Sequence, residues 1–171
     1  GKPYDEYVSD TILEPLGMSS TTLHPSRVPA ARLAHGYRWE DDRWKEEPPL
    51  PHGAFGAMGG MLTSIRDLSR YVAALLDAWP PRDGPETGPV RRASLREMQQ
   101  AWRPSGMRVV LDKAAPAAHL TASGYGYGLS VTQTCEYQAL VAHSGGLPGF
   151  GSLMRWLPDY GVGIIAFGNL T

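Results

Sequence analysis

A chain of 171 residues, 42% hydrophobic and 19% charged, has the size and composition of one globular domain able to bury a core. Its net charge of -1, with Arg and Lys scattered rather than striped, gives no footing for nucleic acid or an anionic membrane surface. No apolar run approaches the roughly 20 residues that span a bilayer, and the single Cys135 excludes an internal disulfide.

Pro3, with Asp5 and Glu6 beside it, opens a helix whose face carries Tyr4, Tyr7, Val8 and Ile12, and Gly17 stops it. Residues 19–34 read as a polar, Pro-containing loop. A strand is expected over Leu33 to Trp39, a charged turn over Glu40-Asp41-Asp42-Arg43, and a return strand from Trp44. The acidic turn lacks ordered ligand spacing and reads as solvated surface. Pro48 to Gly60, with His52, is a crossing loop. Ser64 and Asp67 then form a capping-box-like pair ahead of a helix with a core stripe of Ile65, Leu68, Val72, Leu75 and Leu76, ended by Pro80 and Pro81. Ser94 and Glu97 repeat the pattern before a short helix bearing Leu95, Met98 and Trp102.

Residues 103–123 read as irregular and Ala-rich. Strands are expected at Tyr127–Gln133, Tyr137–Ala142, Ser152–Leu157 and Val162–Phe167, the last two joined by the turn Pro158-Asp159-Tyr160-Gly161. Cys135, near a strand start, reads as a packed thiol. Closely spaced late strands covered by earlier helices define an α+β class, an antiparallel sheet with packed helices.

The organising stretch is Ala142-His143-Ser144-Gly145-Gly146-Leu147-Pro148-Gly149-Phe150-Gly151, between two apolar runs. Five of the nine residues from Ser144 to Ser152 are Gly or Pro, so side chains are pared away where the backbone must come close to something. Taken locally, this is equally a glycine-rich hairpin that happens to carry a His and a Ser.

His143-Ser144-Gly145-Gly146 resembles the third active-site motif of the serine β-lactamase and penicillin-binding-protein family, where Lys-Thr-Gly is often His-Ser/Thr-Gly-Gly in the class C-like esterases and D-amino-acid peptidases. Three more segments follow in the family's order. Lys2–Val8 with Ile12-Leu13-Glu14-Pro15-Leu16-Gly17-Met18 is similar to its I-L-x-P-L-G-M helix end. Gly59-Gly60-Met61-Leu62-Thr63-Ser64-Ile65-Arg66-Asp67-Leu68 resembles its G-G-L-x-S-T-x-x-D-L helix entry. Tyr125-Gly126-Tyr127-Gly128-Leu129 resembles the Y-G-x-G-W/L strand before the motif. The resemblance implies part of a β-lactamase/transpeptidase-like fold.

Family chemistry needs a nucleophilic Ser in S-x-x-K, because the Lys one helical turn away takes its proton, and a Y-x-N or S-x-N relay. Lys2, Lys45 and Lys113 have no Ser three residues earlier, the only Asn is Asn169, and no G-x-S-x-G occurs. Residues 1–171 are therefore expected to be the C-terminal portion of one β-lactamase-like domain. A final helix would follow Asn169-Leu170-Thr171. A leader ahead of Gly1-Lys2-Pro3 stays open, and the compartment is unassigned.

On this resemblance His143 takes the Lys position, where it orients substrate or stabilises charge near the leaving group; without the resemblance it is a strand-end histidine bonded to backbone. Ser144 offers a hydroxyl to the substrate's carboxylate or amide. Gly145 leaves room for the acyl chain. Gly146 gives a backbone N–H to the oxyanion hole, a donor worth roughly 3 kcal/mol of barrier. Tyr125 and Tyr127, two apart on an expected strand, line the cleft or are half-buried sheet aromatics.

The function implied is part of a serine hydrolase forming an acyl-enzyme with an ester, amide, D-amino-acid peptide or β-lactam, using no metal or organic cofactor. An unperturbed imidazole, with pKa about 6.5, is mostly neutral where Lys is charged, so esters, amides and D-peptides are favoured over β-lactams. His24, His35, His52 and His119 have no metal-ligand spacing. The alternative is a noncatalytic β-lactamase-like binding or scaffold domain. The partners implied are a small-molecule or peptide acyl substrate and, through an unpaired sheet edge, a second copy of the chain.

Overall fold

A computed structural model of the chain describes residues 1–50, 53, 56–111 and 118–170. The expectations on His52 and on residues 112–117 of the Ala-rich segment lie outside the described residues. In chain order the elements are α1 (Tyr4–Val8), β1 (Tyr37–Glu40), β2 (Arg43–Glu46), α2 (Gly56–Gly59), α3 (Ile65–Asp77), α4 (Arg92–Met98), β3 (Arg103–Leu111), β4 (Ala118–Tyr125), β5 (Ser130–Thr134), β6 (Leu140–Leu147), β7 (Phe150–Leu157) and β8 (Val162–Gly168). Strands β1 and β2 form a hairpin, and β3 to β8 form a six-stranded sheet in sequence order. Antiparallel registers join β3 to β4, β4 to β5 and β5 to β6. This is the expected α+β class.

The described residues group into two compact units: Gly1–Tyr71 with Ser144–Leu153 and Ile165 onward, and Val72–His143 with Met154–Ile164.

In the first unit, α1 continues into a wider turn over Ser9–Leu13, and the Glu14 N–H returns to Ser9. The expected stop holds in detail. Gly17 sits at φ +67°, its N–H donates to the Glu14 carbonyl, and the Met18 N–H donates to the Leu13 carbonyl. These are the two bonds of a Schellman cap, with glycine at the left-handed position. The expected apolar face is corrected: Tyr4 and Tyr7 are exposed, and Leu13 is the buried residue. The first strand begins at Tyr37 rather than Leu33, because residues 30–32 form a helical turn first. Asp41 and Asp42 both have positive φ, which makes the charged stretch a tight turn between paired β1 and β2.

Half of the first capping box forms. Asp67 N–H donates to Ser64 Oγ at 3.2 Å. The Asp67 carboxylate, 1% exposed, turns instead to the Ser20 N–H at 2.6 Å and the Thr21 hydroxyl at 2.9 Å. The signal therefore marked the helix start correctly but hid a long-range anchor. Within the α3 stripe Ile65 is exposed, whereas Val72 and Leu75 are buried.

In the second unit the core gathers Val72, Leu75, Ala78, Leu129, Val131, Val141 and Trp156. Val131 and Val141 are register partners. Gln99, 2% exposed, ties three elements: its Nε2 donates to the carbonyls of Leu75 (3.1 Å) and Leu95 (2.9 Å), and its Oε1 accepts from Trp156 Nε1 at 2.8 Å. Every polar atom of that buried amide thus has a partner, as burial demands.

Several expectations are corrected here. Residues 103–111 and 118–125 are paired strands rather than irregular chain. Met107, Val109 and Leu111 alternate along β3, but Pro104 and Gly106 flank a register shift and mask the period. The second capping box is absent: α4 starts at Arg92, so Ser94 lies inside the helix, and the Arg92 N–H donates to Glu86 Oε2 at 3.0 Å instead. Trp102 lies beyond α4 and is exposed, its indole N–H bonded to the Glu97 carbonyl. Cys135 is exposed rather than packed. Residues 127–129 belong to a turn, and the following strand starts at Ser130. The turn Pro158–Gly161 forms as expected, with Gly161 at φ +63°.

Candidate functional site

The glycine-rich stretch is more strand than turn. Strand β6 starts at Leu140, three residues later than expected, and runs through His143-Ser144-Gly145-Gly146 to Leu147. Only Pro148 and Gly149 turn, with Gly149 at φ +78°, a left-handed position for which glycine is suited.

A two-residue turn pairs Leu147 with Phe150, and counting back pairs Gly145 with Ser152. The side chains agree: a Cβ on Gly145 would lie 2.7 Å from Ser152 Oγ. In such a ladder the main-chain groups of Leu147 and Gly145 point toward β7, while those of Ser144 and Gly146 point to the opposite edge. That edge carries no strand partner from Ser144 to Leu147 among the described residues, because the β5 register ends at Ser130–Ala142. Among the described residues nothing lies within 4 Å of a Cβ built on Gly146. His143, Ser144, Gly145 and Gly146 are all exposed.

The turn is held by backbone against backbone. A Cβ on Gly149 would meet Gly36 Cα at 2.8 Å and Tyr37 N at 2.9 Å, and one on Gly36 would meet Gly149 O at 2.8 Å and a Phe150 ring carbon at 2.5 Å. Residues 35–37 are fixed in turn by Asn169, whose carbonyl accepts the Tyr37 N–H at 2.9 Å and whose Nδ2 donates to the His35 carbonyl at 3.0 Å. Leu147 packs at Gly59, where a Cβ would come within 3.3 Å. The sequence reading missed Gly36 and Asn169. Their signal was a lone glycine in a loop and the only asparagine, neither of which names a distant partner.

Tyr125 and Tyr127 do not share a strand. Tyr125 closes β4, whereas the Tyr127 N–H donates to the Met98 carbonyl at 3.1 Å and the Gly126 N–H to Leu129 at 2.8 Å. A Cβ on Gly126 would collide with the Met98 carbonyl, so the Tyr-Gly-Tyr-Gly signature marks a turn pressed against main chain. Both tyrosines are exposed, at 42% and 60%.

Two other histidines pair with carboxylates. His24 Nε2 lies 2.8 Å from Asp5 Oδ2, and His35 Nδ1 lies 2.5 Å from Glu46 Oε1. Loss of water pushes the Asp5 carboxyl up, but the backbone N–H groups of Glu6 and Asp5, with His24, outweigh it and hold the group below its ordinary value. Among the described residues no three His, Cys, Asp or Glu side chains converge as a metal site would require, and no helix is long and apolar enough to cross a membrane.

The family profile described as Beta-lactamase matches residues 1–171, so the chain belongs to the beta-lactamase family. The unguisins hydrolase ungD′ of Aspergillus campestris (strain IBT 28561) is 27% identical over 175 residues, which cover 100% of this chain and 30% of that protein. The octameric penicillin-binding protein homologue from Pyrococcus abyssi superposes with a TM-score of 0.76 at 24% identity, over 97% of this chain and 33% of that one. A D-stereospecific amidohydrolase from Streptomyces sp. gives a TM-score of 0.68 at 24% identity, over 99% of this chain and 45% of that one. These structural likenesses establish the β-lactamase/transpeptidase-like fold. The chain spans less than half the length of each of these relatives.

Proposed function

We propose that the chain is the C-terminal portion of a β-lactamase-like serine hydrolase and supplies the wall that receives the acyl group. The observation that carries this reading is the unpartnered edge of β6. By that register the Gly146 N–H points to that edge, and no side chain among the described residues fills the space over Gly146. A backbone donor so placed suits an oxyanion, whose negative charge develops only as the carbonyl is attacked.

In this reading a serine outside residues 1–171 attacks the acyl carbonyl of an ester, amide or D-amino-acid peptide. The leaving group departs with a proton, and water releases the acyl-serine. His143 stands where a lysine would, beside the leaving group, and the Ser144 hydroxyl meets the substrate's carboxylate or amide. Gly145 has no side chain to block the acyl chain. No metal or organic cofactor enters the scheme. The short coverage of the relatives supports the fragment reading, as does the absence of S-x-x-K from the sequence. Self-association belongs to the same proposal, since β3 and β8 end the sheet order with no outer strand among the described residues. A sedimentation profile that does not change with concentration would remove it.

Steady-state turnover by the full-length protein tests the function. A p-nitrophenyl ester should be hydrolysed faster than a penicillin, and His143→Ala should slow ester turnover by roughly 100-fold, the lower range for a positioned acid–base group. Faster penicillin turnover sinks the ester preference. Retained ligand binding with no turnover of any acyl substrate moves the assignment to a binding domain.

A further inference from the structure

The strand pair around Pro148-Gly149 carries only two polar side chains between residues 144 and 153: Ser144 and Ser152. Ser144 is part of the motif. Ser152 lies on β7 opposite Gly145, and its position is unusual for a bystander. Its Oγ sits 2.7 Å from where a Gly145 Cβ would be. The Ser152 hydroxyl therefore lies directly beside the bare backbone of Gly145, where an acyl chain crossing that residue would meet it. The next position toward the turn differs: neither Gly146 nor Gly151 has any described residue within 4 Å of its Cβ position. One hydroxyl thus stands at the margin of an otherwise stripped surface.

That hydroxyl is exposed, and its bond to the Gly145 carbonyl spans 3.5 Å, the outer limit for such a contact. An O–H that holds a partner usually does so near 2.8 Å, so the Ser152 proton is only loosely engaged and can turn outward.

We propose that Ser152 is a specificity-determining residue of this site, donating a hydrogen bond to an amide carbonyl in the acyl portion of the substrate as that portion crosses Gly145. The ligand class is an N-acylated amino acid or peptide, whose carbonyl is a strong acceptor; a plain alkyl acyl group offers nothing there. This rests on the hydrolase reading above and names the substrate class of the same site.

The test uses two esters with one leaving group. N-acetyl-D-alanine p-nitrophenyl ester has the amide, and p-nitrophenyl butyrate lacks it. In the full-length protein, Ser152→Ala should lower kcat/KM for the amide-bearing ester by roughly tenfold, as loss of one neutral hydrogen bond does, and leave the butyrate ester unchanged. Ser152→Cys, a weak donor of similar size, should fall between the two. Unchanged melting temperatures would exclude a folding defect. A flat or equal response on both esters overturns the proposal while the hydrolase reading stands. If the unsubstituted protein hydrolyses neither ester, the hydrolase reading fails and this proposal falls with it.

Discussion

The turn at Gly149 and the junction at Gln99 fix main chain by opposite means. At Gly149 the backbone of residues 148–149 lies directly on that of residues 36–37, and both glycines have lost every side-chain atom to permit it. At Gln99 a buried amide fills the space and satisfies three neighbours, two carbonyls and the Trp156 indole. The first arrangement tolerates no added atom. The second tolerates no lost one. If the Gly146 N–H serves as proposed, the first kind suits it, because side chains near that edge would compete with an acyl substrate.

Substitutions sharpen that contrast. Gly149→Ala and Gly36→Ala carry the largest expected effect. Gly149→Ala combines a φ of +78° with contacts under 3.0 Å, and should cost about 3 kcal/mol or more in denaturant unfolding. Gly146→Ala, in open space, should change stability by less than about 0.5 kcal/mol. If it destabilised as much as Gly149→Ala, the distinction between a clasped turn and an open wall would be lost.

Asp67→Ala comes next. It removes the carboxylate acceptor of the Ser20 N–H and leaves the buried Thr21 hydroxyl with Thr63 Oγ1 alone, and chemical denaturation should report a loss of about 2–3 kcal/mol. Trp156→Phe keeps an aromatic ring but removes the indole N–H and part of the buried volume, leaving Gln99 Oε1 without its donor. It should cost about 1–3 kcal/mol, and pairing it with Gln99→Leu should cost less than the sum of the two single changes. Full additivity of the pair would mean the bond is not coupled.

The smallest effect lies at Asp5. Its carboxyl is held below the ordinary value of about 3.9, so the folded state binds that proton less readily than the unfolded chain. The stabilisation is present above the unfolded value and disappears as pH falls through the lower folded one. Asp5→Asn should therefore lower the melting temperature slightly at neutral pH, with the gap closing only in acid below about pH 4. A gap that stays constant into strong acid would assign the effect to packing.

Local signals carried the sequence reading a long way. The Gly17 cap, the Asp41-Asp42 turn and the start of α3 were all legible, because each depends on residues within a few positions of one another. What failed depends on distant partners. Nothing beside Gly36 announces that Gly149 will press on it, and nothing beside Asp67 announces Thr21. The Ser94–Glu97 spacing matched a cap by chance, since Glu86 already served the start of α4. Strand β3 was hidden by the Pro104–Gly106 shift, and Tyr125–Leu129 passed for strand because its period of two matches one.

The central claim is that this chain holds the acyl-receiving wall and another segment holds the nucleophile. The most direct measurement is peptide mapping by mass after the full-length protein is labelled with a fluorophosphonate. One stoichiometric adduct is expected, on a serine outside residues 1–171 and followed three positions later by lysine. An adduct on Ser144, Ser152 or any other serine within residues 1–171 would contradict it.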